Sequence, residues 1–169
     1  MANTMVKIQT ITADVSGLST IDFTNIPQTF TDLKLVASLR VSRPSTDIDG
    51  ILIRFNNDNT GGNYSGRRLY GTGSSATSDS NTTGNFFATA ASSTASVFAS
   101  NEMYLPNYTS SNYKSVSGDS VEENNATAAS QDLNAGLWSS SAVINRVTFT
   151  APGNFAQYST ATLYGIKSS

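Results

Sequence analysis

Apolar and polar residues alternate along much of this chain, and the alternation predicts β-strands. Residues 32–40, DLKLVASLR, and residues 50–55, GILIRF, show it most clearly, because every second side chain is apolar. We expect the apolar side chains of these two strands to face a core. They are Leu33, Leu35, Ala37, Leu39, Ile51, Ile53 and Phe55.

Further β-rich stretches are separated by residues typical of turns. The first, MVKIQTIT, is predicted to place Val6, Ile8 and Thr10 on one face. The other predicted strands are residues 19–23, 64–71, 100–106, 112–120, 136–140, 142–150 and 161–166. Pro152, Gly153 and Asn154 are predicted to form the last turn.

Two polar stretches carry weaker patterns. Residues 72–96 are rich in Ser, Thr, Ala and Gly around a Phe86–Phe87 pair, and we interpret them as a long loop or a weak edge strand. Residues 121–134 form the one place where a short helical turn would fit. No longer stretch repeats apolar residues at helical spacing.

These elements add up to roughly eight to ten strands, a pattern typical of an antiparallel sandwich or barrel. A two-sheet jelly roll fits best, with residues 1–12 as an N-terminal arm or first strand and residues 13–169 as a single domain. In that fold the first and last strands pair, so the C-terminal strand is late in sequence and central in space.

Composition narrows the classes of function. The chain has 10 basic and 12 acidic residues, a net charge of -2 that gives no electrostatic case for nucleic acid. It lacks cysteine and histidine, which removes disulfides, thiolate metal sites and the usual general base. We also expect no signal peptide and no membrane span, because residues 1–10 lack an apolar run and none elsewhere is long enough.

Candidate catalytic and metal-binding groups are few. Asp47 and Asp49 would face the same way on a strand, but Asp before Gly50 is ordinary turn chemistry. We interpret Glu122 and Glu123 as solvated. The segment Asn56–Asn59 offers oxygen ligands of the kind Ca²⁺ takes, yet it is also typical of a hairpin connection. The sequence therefore predicts neither an enzyme nor a cofactor, and it leaves open whether this loop holds an ion.

Sugar binding is the main alternative among binding functions. Aromatic rings stack on sugars while Asn, Asp and Ser bond to hydroxyl groups, although a lone Trp beside Leu137 is more typical of a core or an interface. The candidate rings are Tyr104, Tyr108, Tyr113, Trp138 and Tyr164.

Two stretches carry a resemblance to a known group of proteins. IDFTNIPQTFTDLKLVASLR and the terminal GNFAQYSTATLYGIKSS, with RRLYGTGSS and GLW between them, resemble small structural proteins of tailed bacteriophages, many from marine and cyanobacterial phages. The resemblance covers most of the chain and implies a non-enzymatic, trimeric jelly roll on the virion surface, made in the host bacterial cytoplasm.

The resemblance implies the major capsid protein as partner, and a role as a capsid decoration or cement protein that clamps neighbouring subunits. The alternative is a tail-fibre or head-fibre knob that binds a host-surface glycan. We prefer decoration because the first strand begins almost at once, without a shaft before it. Adjacent Arg67 and Arg68 should point to opposite faces of a strand. The expected interface residues are Val6, Ile8, Arg40, Arg67, Arg68, Trp138 and Tyr164.

Overall fold

The computed structural model describes residues 4–81, 84–125 and 128–167. These residues contain twelve β-strands and one 3₁₀ turn, Gly61–Asn63, and no α-helix. The strands are β1 (Met5–Thr12), β2 (Leu18–Phe23), β3 (Asp32–Leu39), β4 (Ile48–Phe55), β5 (Tyr64–Gly71), β6 (Ala76–Asn81), β7 (Gly84–Thr89), β8 (Ala99–Leu105), β9 (Lys114–Glu122), β10 (Ser130–Trp138), β11 (Val147–Phe155) and β12 (Thr160–Ile166). Within this part of the chain there is no helix long and apolar enough to span a membrane.

The strands form two antiparallel sheets that pack together as a β-sandwich. One sheet has the order β1-β12-β3-β8-β9-β10-β5-β6, and the other has the order β2-β11-β4-β7. The predicted all-β sandwich is confirmed. The C-terminal strand pairs with β1 on one side and with β3 on the other, so hydrogen bonds hold it along both edges.

The alternation of apolar residues becomes the core of the sandwich. The apolar residues of β3 and β4 named from the pattern are all buried, and the side chains between them are exposed or half-buried. On the last strand Ala161 and Leu163 point inward in the same way. Phe149 on β11 and Phe86 on β7 meet edge to face, with ring centroids 5.7 Å apart. Side chains from both sheets therefore share one core.

Three segments differ from their predictions. The stretch 72–96 contains two strands, β6 and β7, and Phe86 of β7 is fully buried. The stretch 121–134 holds no helical turn among its described residues, because it ends β9 and begins β10. Pro152–Asn154 lies within β11, and the turn comes later, where Ser159 N–H donates to the Ala156 carbonyl.

A β-bulge changes the predicted faces of β1. Its register with β12 shifts between Lys7 and Gln9, so one extra residue enters β1 there. Beyond the bulge Ile11 packs against the core while Thr10 lies outside, bonded to Thr162 at 3.0 Å. Val6, Ile8 and Thr10 therefore do not share one face, which corrects the sequence-based expectation.

The eight-stranded sheet extends well past its partner. We call β1, β12, β3 and β8 the core half and β9, β10, β5 and β6 the extension. The side toward the four-stranded sheet is the inner face and the opposite side is the outer face. Edge strand β7 covers part of the extension: Phe86 packs on Gly118 of β9, where any Cβ would lie 2.9 Å from the Phe86 ring, and Phe87 N–H donates to Ser120 Oγ at 3.1 Å.

Candidate functional site

Around Glu122 and Asp132 the inner face of the extension is lined by polar and charged side chains. Glu122 and Asp132 are both completely buried there, on neighbouring strands. The hydroxyl oxygen of Ser130 lies 2.7 Å from a carboxyl oxygen of each. Arg68 of β5 approaches Asp132 at 3.2 Å and also pairs with Asp79 of β6 at 2.9 Å. One guanidinium thus serves two carboxylates in this inner cluster, which consists of Arg68, Asp79, Glu122, Ser130 and Asp132.

Burial sets the charge state of the inner cluster. Desolvation, reinforced by the nearby Asp132, raises the pKa of Glu122 to about 8, although Ser130 and Arg68 act in the opposite direction. Desolvation also raises the pKa of Asp132. At neutral pH Glu122 is therefore mostly an uncharged acid. This corrects the expectation that Glu122 is solvated; only its neighbour Glu123 is exposed.

The outer face of the extension carries exposed apolar residues. Leu69 on β5 and Leu133 on β10 are cross-strand neighbours, and they are 53% and 55% exposed. Leu137 is also exposed on the same face. We call these three residues the leucine patch. Beside it, where the β5–β6 and β9–β10 turns meet, lies a cavity of about 530 Å³ whose lining includes Leu69, Leu133 and Val121.

A second concavity lies on the outer face, at the junction between the core half and the extension. Its volume is about 350 Å³, and we call it the tyrosine groove. Tyr104 O–H donates to Asp32 Oδ2 at 2.7 Å, and Lys34 forms an ion pair with Glu102 at 2.8 Å. The lining of the groove includes Lys34, Glu102, Tyr104, Ser117, Asp119 and Leu133.

Trp138 belongs to the interior. It is 2% exposed and its ring packs beside Phe55, with centroids 5.6 Å apart. Its indole N–H donates to Asp58 at 2.8 Å. Asp58 also accepts hydrogen bonds from Asn63 and from the Thr60 backbone, and these donors lower its pKa. The structure therefore corrects the expected interface role of Trp138, because its side chain is in the core.

In the loop Asn56–Asn59, the side-chain oxygen atoms of Asn56 and Asp58 accept hydrogen bonds from other groups of the protein. Asn56 Oδ1 accepts from the backbone N–H groups of Asn145 and Arg146. The Asp58 carboxylate accepts the hydrogen bonds from Trp138, Asn63 and the Thr60 backbone. Across the described ranges, no group of three or more acidic residues is placed to hold a metal ion.

The arginines predicted at an interface have different surroundings. Arg40 donates to the carbonyls of Thr94 and Val97, both at 2.9 Å, and so holds the loop after β7. The Arg40 guanidinium group is therefore used within the chain, and its expected interface role stays a prediction. Arg67 is exposed on the outer face and Arg68 turns inward, which confirms that the two point to opposite faces.

The two acidic residues at the start of β4 do not act as a pair. Asp49 is buried and bonds to Arg43 at 3.0 Å. Asp47 precedes the strand, and its carbonyl accepts from the Ala90 backbone. This arrangement is structural and brings no second carboxylate beside Asp49.

The remaining interface and aromatic candidates separate into four groups. Tyr108 is fully buried and its hydroxyl donates to the Pro27 carbonyl, so it offers no exposed ring. Tyr113 is exposed in the loop before β9. Tyr104 and half-buried Tyr164 both lie on the outer face of the core half. Val6 and Ile8 are half-buried on edge strand β1.

The burial of three ionisable residues was not predicted from the sequence: Lys114, Glu122 and Asp132. Lys114 is almost fully buried, and its ammonium group donates to the carbonyls of Ser110 and Ala142 at 2.7 and 2.6 Å. Glu122 lies at the other end of the same strand. The available signal was the alternation in residues 114–122, which places Lys114, Val116 and Glu122 on one face.

Comparison of the chain with known proteins finds no matching family model and no matching curated protein. The function of the protein is therefore inferred from the geometry of its outer face.

Proposed function

We propose that this protein is a non-enzymatic bacteriophage virion surface protein, a capsid decoration protein that packs on the shell through the leucine patch. The observation that carries the proposal is the reversed polarity of the part of the extension around Leu69 and Leu133. Its inner face holds Glu122, Asp132 and Arg68, whereas Leu69 and Leu133 face solvent. Exposed apolar clusters on one face of a sheet are typical of surfaces that pack against another protein.

The order of the strands supports a jelly roll as the scaffold. Without the four strands of the extension, eight strands remain. Numbered 1 to 8 in chain order, these strands lie side by side in the order 1-8-3-6 in one sheet and 2-7-4-5 in the other. This is the pairing order of a jelly roll, a double-sheet architecture that recurs in viral capsid proteins. The extension then consists of two insertions, β5–β6 and β9–β10.

The extension also provides the breadth that a clamp needs. Neighbouring strands lie about 4.8 Å apart, so four added strands widen the sheet by about 19 Å. A stable protein interface buries about 800 Å² on each partner. A widened sheet with leucines at its centre offers a surface of suitable size and shape on which neighbouring shell subunits, or the other chains of a trimer, can pack.

The proposal is tested on purified particles of the virus that encodes the chain. We expect a copy number comparable to that of the major capsid protein, measured from band intensities. Shells that lack the protein should rebind the purified chain, and a Leu69→Ser/Leu133→Ser variant should bind at least about tenfold more weakly, the effect of losing about 1.4 kcal/mol.

The matched control for that variant is Val15→Ser, which removes an apolar side chain that is 81% exposed in the loop between β1 and β2. It should rebind the shell like the unmodified chain. A few copies per particle, or equal rebinding by the leucine variant, would contradict the proposal.

A further inference from the structure

Two tyrosines flank a lysine in one row across the outer face of the core half. Tyr164 pairs with Lys34, and Lys34 pairs with Tyr104, on three adjacent strands. Two strand spacings place the tyrosines about 10 Å apart. The hydrogen bond from Tyr104 to Asp32 fixes its ring, and Asp32 is itself held by the Asn107 backbone N–H at 2.8 Å. Tyr104, 40% exposed, is therefore a pre-positioned aromatic surface.

The next row places two carboxylates opposite each other. Glu102 and Asp119 are cross-strand partners on β8 and β9. Like charges in this position are destabilising. Lys34 offsets one of them through its ion pair with Glu102. No hydrogen bond or ion pair from the described residues reaches the Asp119 carboxylate, and burial together with Glu102 raises the pKa of Asp119.

These groups line the same concavity. The tyrosine groove has the volume of a small-molecule site, about 350 Å³. It combines an aromatic ring, a free hydrogen-bond acceptor in Asp119, a hydroxyl in Ser117 and an apolar boundary at Leu133. A sugar ring presents C–H groups on its faces and hydroxyl donors around its edge, and both sets match this lining.

We propose that the tyrosine groove binds a neutral saccharide, with one sugar ring stacked on Tyr104 and its hydroxyl groups donating to Asp119 and Glu102. Tyr164 lies on the same face and offers a second ring to a longer chain. The two carboxylates repel acidic sugars, so sialylated and uronic-acid glycans are excluded as ligands.

This inference goes beyond the proposed docking function and does not require it. The groove borders the leucine patch at Leu133, and its other end opens toward β3 and β12, away from the extension. A chain docked through the extension therefore keeps the Tyr104 and Tyr164 end of the row open.

The test is binding of the purified full chain to an array of glycans that end in glucose, galactose, mannose or N-acetylglucosamine, with sialylated glycans and a lysine-rich peptide as comparison probes. We expect a neutral glycan to bind. Titration calorimetry should then show about tenfold weaker binding for Tyr104→Ala, the loss typical of an aromatic contact residue. Asp119→Asn should also weaken binding, although it relieves the repulsion from Glu102.

Three control variants separate this site from general effects. Tyr113→Ala removes an exposed tyrosine outside the groove and should leave binding unchanged. Tyr104→Phe keeps the ring and should keep most of the affinity. Leu69→Ser, which tests docking, should still bind the saccharide. Absence of neutral-glycan binding, preference for sialylated glycans or the lysine-rich peptide, or full binding by Tyr104→Ala would overturn the proposal.

Discussion

Leu163 on β12 and Asp132 on β10 lie on the inner face of the same sheet, and neither is exposed to solvent. The core half faces the four-stranded sheet, so its inner side chains pack against apolar partners such as Phe149. At one end of the extension Tyr64 and Trp138 pack on Phe55 of β4. The end that holds Asp132 is covered mainly by the edge strand β7, and the buried side chains there are carboxylates beside an arginine. Burial and apolar character therefore coincide in most of the core half and separate in the part of the extension around Asp132.

The comparison teaches that the two halves need different partners. The core half completes its apolar contacts within the chain. The extension holds Asp132 and Arg68 on its inner face by hydrogen bonds and ion pairs, while Glu122 Oε1 and Arg68 Nε are buried without a hydrogen-bond partner among the described residues. It leaves Leu69 and Leu133 on the outside. An apolar outer face gains stability only when another surface covers it. The difference between the halves is thus the physical basis of the proposed docking function.

The largest expected effect comes from truncating the inner leucine of the core half. Leu163→Ala removes a fully buried side chain from close packing and should lower the free energy of unfolding by about 2–5 kcal/mol. Leu133→Ala on the outer face of the extension is the matched control and should cost less than about 1 kcal/mol. Urea unfolding measures both, and similar losses would remove the distinction between the halves.

A smaller effect is expected from pH. The pKa of Glu122 is raised to about 8 in the folded protein, so the folded state holds a proton that the unfolded chain releases near its ordinary pKa of 4.5. The stabilisation is complete below pH 4.5 and is lost as the pH rises through 8. Since one pKa unit corresponds to about 1.4 kcal/mol, the loss should reach a few kcal/mol.

Glu122→Gln keeps a neutral, hydrogen-bonding side chain and should remove most of this pH dependence. Glu123→Gln, at the exposed neighbouring position, should retain it. Urea unfolding at pH 5 and at pH 8.5 makes the comparison. A pH dependence that persists unchanged in Glu122→Gln would show that other groups cause it.

The smallest effect is expected at the edge of the inner cluster. Asp79 is 43% exposed and pairs with Arg68, which also has the buried partner Asp132. Asp79→Asn should cost less than about 1 kcal/mol, because exposed ion pairs contribute little and are screened by salt. A loss above about 2 kcal/mol in urea unfolding would mean that Asp79 is essential to the buried network rather than peripheral to it.

Sequence reasoning succeeded where one face of a strand meets an apolar layer. The alternation in β3 and β4 identified both strands and their buried residues. It did so because burial of every second side chain appears in the sequence as an apolar residue at every second position. It missed the first six residues of β10, SQDLNA, where the alternation is equally regular but the inner positions are Asp132 and Asn134. A pattern search that equates buried with apolar assigns such a strand to the wrong face or to a loop.

The candidate site was only partly accessible from the sequence. Tyr104 and Tyr164 were named as candidate sugar-stacking rings, but so were Trp138 and Tyr108, which are buried. Aromatic residues serve both cores and surfaces, and only the register of each strand separates the two uses. The opposition of Glu102 and Asp119 required the pairing of β8 with β9, which no local pattern contains.

By itself, the order of residues determined the all-β class and most of the strands, because strand periodicity and turn chemistry act over a few neighbouring residues. Tertiary structure alone decided the bulge in β1, residues 130–135 of β10, the burial of Glu122 and the two grooves of the outer face. These features depend on which strands become neighbours across 50 or more residues of chain, for example Leu69 and Leu133. Long-range pairing brings distant side chains together, and their shared environment then sets their charge and exposure.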